Sequence, residues 1–256
     1  MKLCRFEHLS KAEPRYGVLE EDHVRPLAYD IFAPRPKVSS DKIPFAEIRL
    51  LAPVTPSKIV CVGRNYREHA AELGNAMPSE PLLFLKAPSS VIGTGEVIML
   101  PPESAQVEHE GELGLVIGRT ASRLDDSENP LEYILGYTCV NDVTARDLQR
   151  KDVQFTRAKS FDTFCPTGPF IITEPDLEHF LVTARVNGEM KQQASTSSMA
   201  FSIPYLIRYI SRAMTLYPGD LIATGTPAGV SRLKVGDMVE IEIEGIGTLR
   251  NEVGGL

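Results

Sequence analysis

No run in the 256-residue sequence approaches the roughly 18 consecutive apolar residues that a membrane-crossing helix needs. The opening residues, MKLCRFEHLS, hold no apolar stretch of the signal-peptide kind, which leads to the expectation of a cytoplasmic protein. Basic clusters are also missing: 27 Lys and Arg against 34 Asp and Glu leave a net charge of −7, a poor match to nucleic acid or an anionic membrane. The four cysteines (Cys4, Cys61, Cys139 and Cys165) form no C-x-x-C pair. The five histidines do not cluster with them, which disfavours zinc and suits reduced thiols. G-x-G-x-x-G, G-x-S-x-G, H-E-x-x-H and the P-loop pattern are all absent. The usual signals of dinucleotide binding, serine hydrolysis, zinc proteolysis and nucleotide hydrolysis go with them. No internal repeat or low-complexity tract occurs, and 43% hydrophobic with 24% charged residues excludes a disordered chain.

What is present reads as strands with a few helices. Residues 1–55 carry short alternating pieces broken by Pro and Gly, a small β-rich N-terminal module, and residues 56–256 form the main body. KIVCVG (58–63), PLLFLK (81–86), EVIML (96–100), HEGELGLVIG (109–118) and ILGYTCVND (134–142) read as strands. NYREHAAELG (65–74) reads as a helix stopped by Gly74, and SIPYLIRYISRAM (202–214) as a helix with Pro204 in its first turn. Asn187-Gly188 suits the turn of a hairpin. Strands and helices do not alternate as strict βαβ units, so a doubly wound sheet is disfavoured. The expectation is an α+β, mostly β architecture with a curled antiparallel or mixed sheet.

Four constellations could carry chemistry. Glu110 and Glu112 stand two apart on a strand and face the same way. They are either a surface pair or two carboxylates forced together, where repulsion raises one pKa unless a cation intervenes. Asp142 follows an apolar strand, as a third carboxylate or as the N-cap of the next helix. Three carboxylates with open positions describe a site for a hard cation, Mg²⁺ or Mn²⁺. His69 and Glu72 share a helix face at i, i+3, either as an incidental solvated pair or as a base with its orienting carboxylate. Arg146 would lie one turn beyond Asp142 on the same helix face, with Gln149 three further on, and Lys159 follows. Arg146 and Lys159 suit surface charges as well as pocket cations. The loop TGTPAGV (224–230) favours tight turns that expose backbone N–H groups.

Jointly, these blocks resemble one family. GRNYREH (63–69), EHEGELGLVIG (108–118), GYTCVNDVTARDLQ (136–149), AKSFDTFCPTGP (158–169) and ATGTPAGV (223–230) resemble the successive motifs of the fumarylacetoacetate hydrolase family, in order, over about residues 56–253. The resemblance implies a mixed β-sandwich roll, a divalent metal and a homodimer. It implies metal ligation by Glu110, Glu112 and Asp142, catalysis by the dyad His69 and Glu72 with Lys159, and a substrate pocket lined by Arg146, Gln149 and Thr226. Gly63-Arg64-Asn65-Tyr66 lacks the extra aspartate of the fumarylacetoacetate-cleaving members. In this it is similar to the smaller acylpyruvase and isomerase branches.

The chemistry this implies is an enolate route on a small anionic keto acid. A 2-oxo acid or 1,3-diketone would chelate the metal, which polarises the carbonyl. Because magnesium acidifies water far less than zinc does, a base is still needed, and an imidazole, with a free pKa of about 6.5, suits that task. Lys159 would stabilise the developing oxyanion. Hydrolysis of acylpyruvates stands first among the expected outcomes because the dyad is present. Decarboxylation of an oxaloacetate-type β-keto acid and isomerisation of hydroxyhepta-diene-dioate are the alternatives, and a non-catalytic module that binds small acids is the non-enzyme reading.

Overall fold

The computed structural model describes residues 1–33, 36–175 and 178–255. Strands dominate, as expected of a mostly β, α+β chain, and among the described residues they form one sheet of twelve strands, one of five and one of two. Ten strands of the large sheet are ordered Ile43–Pro44, His23–Pro26, Lys11–Glu20, Lys2–His8, Cys165–Ile172, Ile134–Asn141, Gly111–Ile117, Leu221–Ala223, Ile59–Gly63, Leu82–Lys86, while Ile48–Leu51 pairs with Lys2–His8 and Val91–Ile92 with Cys165–Ile172 off this path. It is mixed. Leu221–Ala223 runs parallel to Ile59–Gly63, whereas Gly111–Ile117 is antiparallel to both of its neighbours. The N-terminal strands continue this sheet, because Lys2 and Leu3 pair with Ile172 and Ile171. No helix among the described residues is long and apolar enough to cross a membrane.

The local signals in the sequence are met by the backbone. Asn187 and Gly188 both adopt positive φ between the paired strands Leu181–Val186 and Glu189–Ser195, as the tight hairpin requires. Helix α1 (Arg67–Glu72) is followed by Gly74 in the left-handed region. Helix α2 (Arg146–Asp152) and the short α3 (Thr156–Lys159) follow the strand Ile134–Asn141, and α4 (Ile203–Ala213) has Pro204 in its first turn. All four cysteines are free and buried.

The strand Gly111–Ile117 explains why Glu112 is buried. Period-two alternation usually marks a strand with one wet face. Here both faces are covered. Leu113, Leu115 and Ile117 pack with Val182, Ala184 and Ile241 of the five-stranded sheet, while Val116 on the opposite face packs with Ile59, Val140 and Leu221. Glu112 shares the face of Val116 and is therefore buried.

Asp220 fastens the strand that neighbours this one. Fully buried, it accepts hydrogen bonds from the backbone N–H groups of Ser57, Lys58 and Tyr217, from the Ser57 hydroxyl and from the Lys58 ammonium. Asp220→Ala strands all of these donors, and the expected loss is about 3–5 kcal/mol of unfolding free energy. Urea denaturation of the variant checks this, and a loss under 1 kcal/mol refutes it.

Candidate active site

One cavity of about 190 Å³ collects most of the residues expected from the sequence: His69, Glu110, Glu112, Asp142, Arg146, Gln149, Lys159 and Thr226 all line it. The three carboxylates come from one end of the strand Gly111–Ile117 and from the turn after Ile134–Asn141, which are antiparallel neighbours. The backbone N–H of Asp142 donates to the Glu110 carbonyl at 2.8 Å and locks the two segments together. One oxygen from each of Glu110, Glu112 and Asp142 then lies within 4.8 Å of the others. Asp142 does not cap a helix. Helix α2 begins four residues later, with Ala145 at its N-cap and no side chain capping it.

Each carboxylate has different neighbours. Glu110 accepts from the Arg146 guanidinium at 2.5 Å and from Lys159 Nζ at 2.8 Å. Burial pushes its pKa up, but Lys159 and Arg146 together outweigh that and hold the carboxyl well below its usual range. Asp142 accepts from Lys159 Nζ at 2.7 Å and from Lys86 Nζ at 2.6 Å. Glu112 accepts only the backbone N–H of Gly225, at 2.7 Å, and has no cation within 4 Å among the described residues. Burial first, and repulsion from Asp142 and Glu110 second, raise its pKa well above the carboxylate norm. A buried carboxylate short of positive charge, beside two others with converging oxygens, is the donor set of a hard divalent cation. The residues present fit that ion.

Backbone geometry delivers the remaining groups. Gly225 must be glycine: its φ is +104°, and a Cβ there would sit 2.7 Å from the Cβ of Asn65. Asn65 is buried, donates from its amide to the carbonyls of Thr224 (2.8 Å) and Phe201 (3.2 Å), and so ties the Gly225 turn to the start of α1. On α1, His69 Nδ1 lies 3.2 Å from Glu72, whose other oxygen accepts the N–H of Gly229 at 3.0 Å. That engagement leaves Nε2 as the imidazole nitrogen available to the cavity.

Three sequence expectations are refined. Arg146 does reach the carboxylates, but from the first position of α2 rather than from one turn beyond a helical Asp142, and it also binds Glu108 at 2.8 Å. Gln149 accepts from Arg146 Nη1 through its carbonyl oxygen, at 2.7 Å, so its NH₂ remains to donate. The Thr226 hydroxyl spends its proton on the Gly111 carbonyl at 2.9 Å and accepts from Gln192 at 2.7 Å. It serves the loop as much as the pocket.

Residues 58–254 match the family described as Fumarylacetoacetate (FAA) hydrolase C-terminal. The chain belongs to the fumarylacetoacetate hydrolase family. Residues 1–53 match a second description, Rv2993c-like, N-terminal. Protein Rv2993c of Mycobacterium tuberculosis is 50% identical over 216 residues, 82% of this chain and 80% of that protein. Oxaloacetate tautomerase YisK of Bacillus subtilis is 43% identical over 247 residues, 91% of this chain and 82% of that protein. The crystal structure of 2-hydroxyhepta-2,4-diene-1,7-dioate isomerase from Mycobacterium marinum superposes with a TM-score of 0.91 at 41% identity, covering all of this chain and 98% of that one. Fumarylacetoacetate hydrolase family membership makes this an enzyme fold and accounts for the mostly β architecture.

Around this cavity, sequence reasoning missed Lys86, Glu108 and Gln192. Lys86 ends the apolar strand Leu82–Lys86 and reads as a solvent-seeking terminus, yet it is 2% exposed and holds both Asp142 and the Val143 carbonyl. Gln192 sits on the distant hairpin and accepts the Gly111 N–H at 2.9 Å, a contact that no local pattern announces. Glu108 was legible only as one more acid in EHEGE. Asn75, just after α1, also lines the cavity.

Proposed function

We propose that the chain is a divalent-metal-dependent enzyme acting on small 2-oxo dicarboxylates through an enol or enolate, with keto–enol tautomerisation of an oxaloacetate-type acid as its principal reaction. The observation that carries this reading is the convergence of an imidazole, three carboxylates and two buried cations on one small cavity. The names of the relatives, a tautomerase and an isomerase, support proton movement over bond hydrolysis.

Glu110, Glu112 and Asp142 would hold the ion, Mg²⁺ or Mn²⁺, since carboxylate-only sites suit both. When bound, it would polarise the 2-oxo carbonyl and acidify the adjacent C–H. His69 would take the proton from carbon through Nε2 and return it at oxygen or carbon, with the Glu72 carboxylate stabilising the imidazolium. Arg146, fixed by Glu108 and Glu110, engages the carbonyl oxygen of Gln149, whose NH₂ would be left to donate to a substrate carboxylate. Lys159 would steady the growing oxyanion while keeping Glu110 and Asp142 in register. Hydrolysis of acylpyruvates is the second reading, favoured by the same His69–Glu72 pair, which could equally activate a water.

The test follows the enol absorbance of oxaloacetate with Mg²⁺ or Mn²⁺, with product identity read in parallel on oxaloacetate and acetylpyruvate. Enol decay accelerated by at least about 100-fold and abolished by chelation is expected, since general acid–base catalysis alone supplies 10²–10⁴. Turnover of acetylpyruvate alone, or activity that survives chelation, overturns the tautomerase reading.

A further inference from the structure

The charges around the cavity do not close on a monoanion. Four buried carboxylates (Glu108, Glu110, Glu112 and Asp142) face three buried cations (Lys86, Arg146 and Lys159), a deficit of one positive charge. A divalent ion turns that deficit into a surplus of one. The chelating carboxylate of a 2-oxo acid consumes the surplus, so a second substrate carboxylate requires a cation of its own.

Arg64 supplies one. It lies in the turn between the strand Ile59–Gly63 and α1, lines the same cavity as His69 and the carboxylates, and is only partly exposed. Among the described residues it has no carboxylate within 4 Å and no hydrogen bond from its guanidinium, whereas Arg146 is satisfied by Glu108, Glu110 and Gln149. Its backbone is held at φ +57°, a conformation costly for a side-chain-bearing residue. Asn65, the next residue, enforces that conformation through its bonds to Thr224 and Phe201. A strained, unpaired arginine anchored by a buried amide and placed on a cavity wall is built to meet an anion. Leu73, Leu82 and Phe84, which line the same cavity, are uncharged. Arg150 also reaches the cavity, but it is exposed and its guanidinium already donates to Gln106 at 2.8 Å.

We infer that Arg64 is the specificity residue of this site: its guanidinium pairs with the distal carboxylate of the substrate and selects dicarboxylates over monocarboxylates of the same skeleton. The inference rests on the 2-oxo acid reading above and deepens it. A planar guanidinium engages a carboxylate bidentately, and the gain in a cavity of this kind is about 30-fold in affinity. Because the pairing forms in the ground state and persists through the reaction, it acts on KM and not on kcat.

The experiment compares the Mg²⁺-loaded wild type with Arg64→Met and Arg64→Lys. Oxaloacetate and its 4-methyl ester, which keeps the skeleton but loses the distal charge, are the substrates. Malate and 2-hydroxybutyrate, read by calorimetry, are the non-reacting pair. Arg64→Met is expected to raise the KM for oxaloacetate and the Kd for malate about 30-fold, to leave both values for the ester and 2-hydroxybutyrate within twofold, and to keep kcat within threefold. Arg64→Lys should recover part of the dicarboxylate preference, since it restores the charge without the fork. Equal effects on charged and uncharged partners, or none on either, overturn the assignment. The calorimetric pair decides this even if wild type turns over neither keto acid, an outcome that counts against the tautomerase reading alone.

Discussion

Glu112→Gln is expected to lose metal-dependent turnover by about 1,000-fold or more while leaving the ion-free protein at least as stable as wild type. The two halves of this result have one cause. Glu112 is buried against Asp142 and Glu110 without a cation of its own, so its charged form is disfavoured and its pKa is raised. For an acid whose pKa rises on folding, the folded state binds the proton more tightly. Stability attributable to the group is therefore greatest below its ordinary pKa, about 4.3, and declines as pH rises above that. A neutral glutamine keeps the Gly225 N–H bond and removes the penalty. The loss of turnover would follow because the proposed site loses a charged ligand oxygen, and a thousandfold corresponds to about 4 kcal/mol of transition-state stabilisation. Turnover of oxaloacetate with Mg²⁺ checks the first half, and thermal melts at pH 7.5 with and without the ion check the second. Wild type should gain melting temperature on adding the ion, and the variant should gain little. A variant that melts well below wild type without the ion, or that still responds fully to it, contradicts this account.

His69→Ala should reduce tautomerisation by about 10²–10⁴-fold at nearly unchanged KM, because on the proposed route the imidazole would move a proton in the transition state and contribute little to ground-state binding. Its Nδ1 is engaged by Glu72, and that carboxylate is fixed in turn by the Gly229 N–H, so the ring is presented in one orientation. Glu72→Gln, which keeps the contacts but not the charge, should cost less than His69→Ala. Metal-assisted decarboxylation of oxaloacetate, which needs no base, should fall much less in either variant. Stopped-flow enol decay alongside pyruvate release separates the two reactions. A decline of less than threefold in tautomerisation removes His69 from the proton path.

The site was legible where local geometry decides it. The two-residue repeat at Glu110 and Glu112, and the three-residue step from His69 to Glu72, translate directly into shared faces once strand and helix are assigned. The hairpin at Asn187-Gly188 was readable for the same reason. What escaped detection depends on pairings far apart in sequence. Lys86 lies 56 residues from Asp142, and Gln192 lies 81 from Gly111. Nothing in an apolar strand ending in lysine says that the ammonium turns inward. The period-two pattern of residues 109–118 was also ambiguous, because alternation reports which residues share a face and not whether water reaches it. Burial of both faces is a property of the two flanking strands and of the second sheet.

The junction of Lys2 and Leu3 with Ile172 and Ile171 gives the first fifty residues a protective task. Strands Lys11–Glu20 and Ile48–Leu51 flank Lys2–His8 on its two sides, so its hydrogen-bonding groups are nearly all spoken for. Without them, Cys165–Ile172 would present part of its ladder as an open border, the kind of border that recruits stray chains into aggregates. The N-terminal segment thus acts as a selvedge: it finishes the woven edge of the sheet that carries the acids.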